Sequence, residues 1–249
     1  MKHIAYFLLI GLLTVSCQKK EIQFENIVYE KQSKTPCDSS CTQVKINVPI
    51  AENSPVVEDS INNAVFNTVR EIIYFGEKPY NASNYTQLMD LFIKSYTDVT
   101  TQFPDDHMPV WEASIDGQIA YHSDKVINIT LKHYTFTGGA HGYSGLRSIL
   151  VHAETGKTIT EKDFLKDKKG LTAFAEKKFR EKFKIPANKP INEGGLMFED
   201  EVFQLPQTYV FSDKGLILYY NTYEIAPYVD GPRELLLSYD ALEPYLILK

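Results

Sequence analysis

Three cysteines and a single tryptophan occur in 249 residues, and no apolar run outlasts the stretch Ile4 to Leu13. A run of about ten residues is too short to span a bilayer as a mature helix. Basic residues are not in excess either: 26 Lys and Arg stand against 32 Asp and Glu, a formal charge of −6 with both signs mixed along the chain. That balance gives no electrostatic case for nucleic acid or an anionic membrane surface as partner. The His-x3-His spacing of a metal site does not occur among His107, His122, His133, His141 and His152, and no Cys-x-x-Cys pair is present. No metal and no cofactor are therefore expected. No serine or cysteine stands in a nucleophile signature, and no repeat, low-complexity tract or Pro/Gly/Ser linker interrupts the folded part.

What is present at the start is an address. Met1, Lys2 and His3 precede the apolar run, and Thr14, Val15 and Ser16 lead to Cys17. A basic start, a short apolar stretch and a small residue before the cut describe a secretory signal over residues 1–16. The Ser16–Cys17 pair resembles a lipobox, with Thr14 where Leu is usual, and implies that the Cys17 thiol carries a diacylglycerol and becomes the new N-terminus. Two or three acyl chains bury enough methylenes for stable attachment, which a single chain would not. Cleavage removes one lysine and takes the formal charge from −6 to −7. The expected location is the cell envelope, lipid-anchored, at the periplasmic face of the outer membrane. The expected membrane contact is that anchor alone.

Residues 17–35 then read as a lipidated, polar tether, the folded part beginning near Gln23. Cys37 and Cys41 lie in the turn-rich segment Thr-Pro-Cys-Asp-Ser-Ser-Cys-Thr. In an oxidising compartment such a pair most simply forms a local disulfide, and its short loop limits the stabilisation to about 2 kcal/mol.

The rest of the chain reads as alternating strands and amphipathic helices. Val44, Ile46, Val48 and Ile50 alternate with polar residues, the pattern of a strand with one buried face. Ser54 caps a helix with Pro55 in its first turn, and a second helix runs from about Tyr85 to Phe103. Strands follow around Trp111 to Tyr121, Ile127 to His133 and Tyr143 to His152, as an antiparallel meander. A lysine-rich third helix turns Leu171, Phe174, Ala175, Phe179 and Phe183 inward. A hairpin around Ser212-Asp213-Lys214, a strand from Glu234 to Ser238 and a short helix close the chain. The expected fold class is α+β: two antiparallel-sheet lobes with helices on the sheet faces, forming a compact single body.

Two clusters could carry function. In Tyr134-Thr-Phe-Thr-Gly138-Gly139-Ala-His141-Gly142-Tyr143, glycines bring backbone close to a ligand and His141 is the candidate acid, base or contact. A hairpin connection with His141 making one hydrogen bond accounts for the same residues. In Tyr219-Tyr220-Asn221-Thr222-Tyr223-Glu224-Ile-Ala-Pro-Tyr228-Val-Asp230-Gly231-Pro232, tyrosines with Glu224 and Asp230 on a Pro/Gly-fixed loop suggest a binding rim; an aromatic strand end packed on the core is the alternative. The two clusters are expected on the same rim of the sheet. His133 and His152 are expected as core or edge histidines, not zinc ligands.

The glycine–His141 cluster, the Thr155-Gly156-Lys157 to Phe164 turn and helix, and Tyr223 to Tyr228 with Gly231 together resemble the DUF3298 family with its preceding DUF4163 (PdaC-like) segment. The likeness divides the chain into residues 36–152, PdaC-like, and 153–249, DUF3298-like. It implies a wall setting, since relatives include a lysozyme-sensing anti-sigma factor and the N-terminal region of a peptidoglycan deacetylase. In that relative the deacetylase chemistry resides in a separate domain with a metal-binding His-x3-His pattern, a spacing that does not occur among His107, His122, His133, His141 and His152, so that activity is not expected. The resulting expectation is a non-catalytic binding module whose partner is peptidoglycan glycan or a wall-acting protein such as lysozyme. The alternatives are a hydrolase acting on peptidoglycan or its acyl groups through His141 with Glu224 or Asp230, and an envelope scaffold without a small ligand.

Overall fold

The computed structural model describes residues 21–34, 41–104 and 107–248. Cys17 and Cys37, and with them the signal, lipidation and disulfide expectations, lie outside these residues. Five strands form the larger sheet in the order β1 (Gln23–Gln32), β2 (Gln43–Glu52), β3 (Glu112–His122), β4 (Val126–Phe136) and β5 (Tyr143–His152). Two helices, α1 (Pro55–Ile72) and α2 (Tyr85–Gln102), separate β2 from β3.

That separation corrects the antiparallel expectation for this lobe. β3 runs parallel to β2, with Ile46 opposite Ile115, while the other neighbouring pairs are antiparallel. The sheet is mixed because a long connection through two helices carries the chain back across the sheet and lets the next strand enter in the same direction. The start of α1 is a smaller correction. Pro55 opens the helix as expected, but the Ser54 side chain makes no capping bond; the Glu58 carboxylate accepts from the Ser54 N–H at 2.9 Å.

The alternation read from the sequence becomes two faces. Val44, Ile46, Val48, Ala113, Ile115, Ile127, Ile129 and Leu131 are buried against α1 and α2 around Leu88, Phe92 and Trp111. On the opposite face Lys45, Asn47, Ser114, Asp116 and Lys132 line an open polar concavity of about 600 Å³.

The second lobe is a three-stranded antiparallel sheet, β6 (Thr208–Ser212), β7 (Gly215–Tyr220) and β8 (Arg233–Leu237). The expected lysine-rich helix is α4 (Lys168–Phe183), preceded by a separate four-residue helix, α3 (Glu161–Phe164); another four-residue helix, α5 (Tyr239–Leu242), follows β8. Asp163 accepts from the Thr160 N–H at the start of α3, and Asp167 accepts from Gly170 N–H at the start of α4. Leu171, Ala175 and Phe179 of α4 pack into the second core, where the Phe179 ring meets Phe198, Phe203 and Tyr220.

Two asparagines join the lobes. Asn128, fully buried on β4, accepts from the Phe211 N–H at 2.8 Å and donates to Ser148 Oγ at 2.8 Å. Asn221, just beyond β7, accepts from the Leu146 N–H at 2.7 Å and donates to the Leu146 carbonyl at 3.2 Å. Its amide thus satisfies one stretch of the open edge of β5 as a neighbouring strand would, and edge strands need such cover.

Candidate functional site

The Asn221 contact places the two sequence clusters side by side. His141 leaves the β4–β5 connection and stacks on Tyr228, with ring centroids 4.1 Å apart and planes 21° from parallel. The Tyr223 hydroxyl lies 3.2 Å from His141 Nε2, and the Tyr223 and Tyr228 rings are 5.4 Å apart. The expectation of a shared rim therefore agrees with the geometry, although the residues are about eighty positions apart.

Local backbone makes this arrangement. Gly138 and Gly139 have φ of +102° and +86°, which favours glycine, and open space surrounds both. Gly142 is required for another reason, since a Cβ there would sit 2.4 Å from the Tyr134 ring. Tyr134 covers Gly142 and lines the open polar concavity of the larger sheet, so it is not part of the aromatic trio. Tyr223 is held at φ +69°, a left-handed conformation that costs a tyrosine roughly 1–2 kcal/mol. That turn swings its ring toward His141 and returns Glu224 toward the chain.

Glu224 is not directed at His141. One carboxylate oxygen accepts from the Gln207 N–H at 2.9 Å and the other from the Asn221 N–H at 2.8 Å, so the group fixes the loop. Asp230 faces Arg233, whose guanidinium donates to the Asp230 carbonyl and lies 3.7 Å from its carboxylate. His141 Nδ1 is 3.0 Å from the Gly142 carbonyl. Both ring nitrogens thus face neutral groups, and the pairing of His141 with Glu224 or Asp230 that a hydrolase would need is not assembled.

Beside the aromatic trio lies a cavity of about 280 Å³ lined by His133, Tyr143, Leu146, Arg147, Gln207, Asn221, Thr222, Tyr223 and Glu224. Tyr143, Tyr223 and Glu224 were legible as candidates, and Asn221 and Thr222 lie in the second cluster with no role read for them; Arg147 was not singled out. The signal for Arg147 lay in the strand alternation: with Tyr143, Gly145, Ile149 and Val151 it occupies one face of β5, a cation in an otherwise uncharged row. Arg147 makes no hydrogen bond or ion pair with another of the described residues.

His133 forms a wall of this cavity and is only 6% exposed, in keeping with the core or edge reading. Its ring crosses Gly145 on β5, where a Cβ would approach Nε2 to 2.7 Å, and its Nδ1 has no partner among the described residues. Burial first, and the nearby Arg147 charge second, push its pKa down to about 4. The ring is neutral at physiological pH. Because the folded pKa lies below the unfolded value of 6.5, the unfolded chain binds the extra proton between those values. Stability contributed by neutral His133 is present above pH 6.5 and lost as pH falls toward 4, to the extent of roughly 3 kcal/mol. Urea unfolding of His133→Phe across that window is expected to show a flatter pH dependence than the parent. Identical slopes would contradict the assignment.

A two-lobed α+β protein with an aromatic rim beside a small polar cavity is the class that this geometry defines. Residues 36–144 match the family model described as deacetylase PdaC, and residues 159–240 match the model described as a protein of unknown function, DUF3298. The two matches follow one another along the chain, the PdaC-like part first and the DUF3298-like part second. A crystal structure of a DUF3298 family member from Bacteroides fragilis is similar over 90% of this chain and 93% of its own, at 19% identity and a TM-score of 0.73. A DUF3298 family protein from Pseudomonas aeruginosa is similar over 91% and 95%, at 18% identity and a TM-score of 0.65. At these identities the likeness speaks for the fold alone. No curated protein matches the chain.

Proposed function

We propose that the protein is a lipid-anchored cell-envelope module that binds peptidoglycan glycan at the rim formed by His141, Tyr223 and Tyr228. The observation that carries this reading is the aromatic trio itself, in which the rings of two distant loops converge while no carboxylate is directed at the histidine. Aromatic faces suit the apolar side of a sugar ring, and their polar tips suit its hydroxyls. A site with contact area but no assembled acid–base pair favours retention over turnover. Among the described residues no helix is long and apolar enough to cross a membrane, which leaves attachment in this reading to Cys17.

Incubation of the purified protein with isolated wall fragments tests this. Retention on the insoluble wall with no released sugar or acyl product is expected. His141→Ala and Tyr228→Ala should each weaken retention by about tenfold while leaving the unfolding midpoint near that of the parent, the size expected for losing one stacked aromatic contact. Release of product would favour the hydrolase reading instead. Absence of retention would overturn the glycan assignment, and capture of a wall-acting protein in its place would move the rim to a protein partner.

A further inference from the structure

Arg147 and Glu224 carry opposite charges on the walls of one cavity of about 280 Å³ and form no ion pair with each other. Each has a separate situation. Glu224 is tied by backbone N–H groups from Gln207 and Asn221, which take one acceptor direction of each carboxylate oxygen and leave the others available. Arg147 is exposed on the edge strand with no partner among the described residues. Tyr143 stands in the field of both: burial pushes its phenol pKa up, Arg147 pulls it down and Glu224 raises it further.

We propose that this cavity binds the head group of an α-amino acid, with the ligand's carboxylate on Arg147 and its ammonium on Glu224. A guanidinium presents paired donors that match a carboxylate, and an ammonium supplies the donors that the remaining Glu224 lone pairs require. A simple anion would satisfy Arg147 and be repelled by Glu224, and a simple cation would meet the reverse. Tyr143, Thr222 and Tyr223, all uncharged, line the same space. His133 remains uncharged in its wall and adds no second cation. The volume lies near the lower end for small-molecule pockets, which suits a head group better than a whole oligomer. Pocket and rim share only Tyr223, so the inference goes beyond the reading of the rim and does not depend on it.

Isothermal titration of the purified protein with four probes tests the assignment: alanine, N-acetylalanine, alanine amide and Nε-acetyllysine. Alanine should bind, and each of the two blocked alanines should bind at least about tenfold more weakly, the loss expected for a charge-assisted contact. Arg147→Gln should remove alanine binding while leaving retention on wall fragments unchanged, and circular dichroism should show the variant folded. Tighter binding of Nε-acetyllysine than of alanine would assign the head group to the end of a larger amide-bearing molecule; equal binding would assign it to a free amino acid. N-acetylalanine binding as tightly as alanine would overturn the zwitterion assignment, as would the absence of binding by both alanine and Nε-acetyllysine. Failure of wall retention with alanine binding intact would count against the glycan reading alone.

Discussion

Replacing Asn128 with leucine is expected to destabilise the protein by about 3–5 kcal/mol, on the scale for stranding two or more buried polar groups. The side chain is fully buried, and its partners include the backbone N–H of Phe211 in the second lobe and the backbone carbonyl of Ile149 in the first. An apolar replacement of similar size can be nearly neutral when both members of a buried pair are exchanged together. Here the Phe211 N–H is a backbone donor that no second substitution can remove, so it is left without its acceptor, and Ser148 Oγ loses its donor as well. For a chain of this length the thermal midpoint should fall by on the order of 10 °C. Because Asn128 links the lobes, the variant should also show whether the two cores still unfold in one transition. Urea unfolding followed by far-ultraviolet circular dichroism and by Trp111 fluorescence reports both quantities, Trp111 lying in the first core. A loss below about 1 kcal/mol with coincident transitions would show that Asn128 is not a pin between lobes.

Cys17→Ala is expected to abolish membrane attachment. This follows from the proposed anchor, in which the Cys17 thiol directly after the short apolar run accepts the lipid. Two or more acyl chains hold a protein at a membrane far more firmly than a peptide tether can. Metabolic labelling with a fatty-acid probe should mark the parent and not the variant, and the variant should be recovered as soluble or uncleaved product. Equal labelling of both would place the lipid elsewhere or remove it from the account.

Much of the fold was legible because hydrophobic periodicity reports which face of an element is buried. The alternation from Val44 to Ile50 and the strand from Tyr143 to His152 follow from it directly, and Pro55 marks the start of α1. Strand direction was not legible, because a period of two is the same read from either end; only the helical crossover makes β3 parallel to β2. The lysine-rich helix follows from its apolar stripe, but the break between α3 and α4 does not: Asp163 and Asp167 each satisfy backbone N–H groups of a new helix start, a local competition that the stripe does not record.

The site divides in the same manner. His141, Tyr223 and Tyr228 stood out by composition, and the fold brought them together. Glu224 stood out equally, yet one acceptor direction of each of its carboxylate oxygens is taken by a backbone donor that ties it to the loop, because the left-handed turn at Tyr223 brings it back toward Asn221. Composition identifies groups able to act but not the hydrogen bonds that already occupy them. Asn221 shows the converse: an amide in the same cluster, with no role read for it, becomes the cover for the edge of β5. Its role exists only once the second lobe has docked.

The most direct test of the account is the position at which soluble wall fragments contact the protein. Backbone amide shifts should be followed by NMR during titration of the purified protein with glycan fragments. The account predicts the largest changes at His141 to Tyr143 and at Tyr223 to Tyr228, with little change at Lys45, Asn47, Ser114, Asp116 and Lys132 on the open sheet face. Saturable changes confined to that open face, with the His141 and Tyr228 amides unmoved, would contradict it.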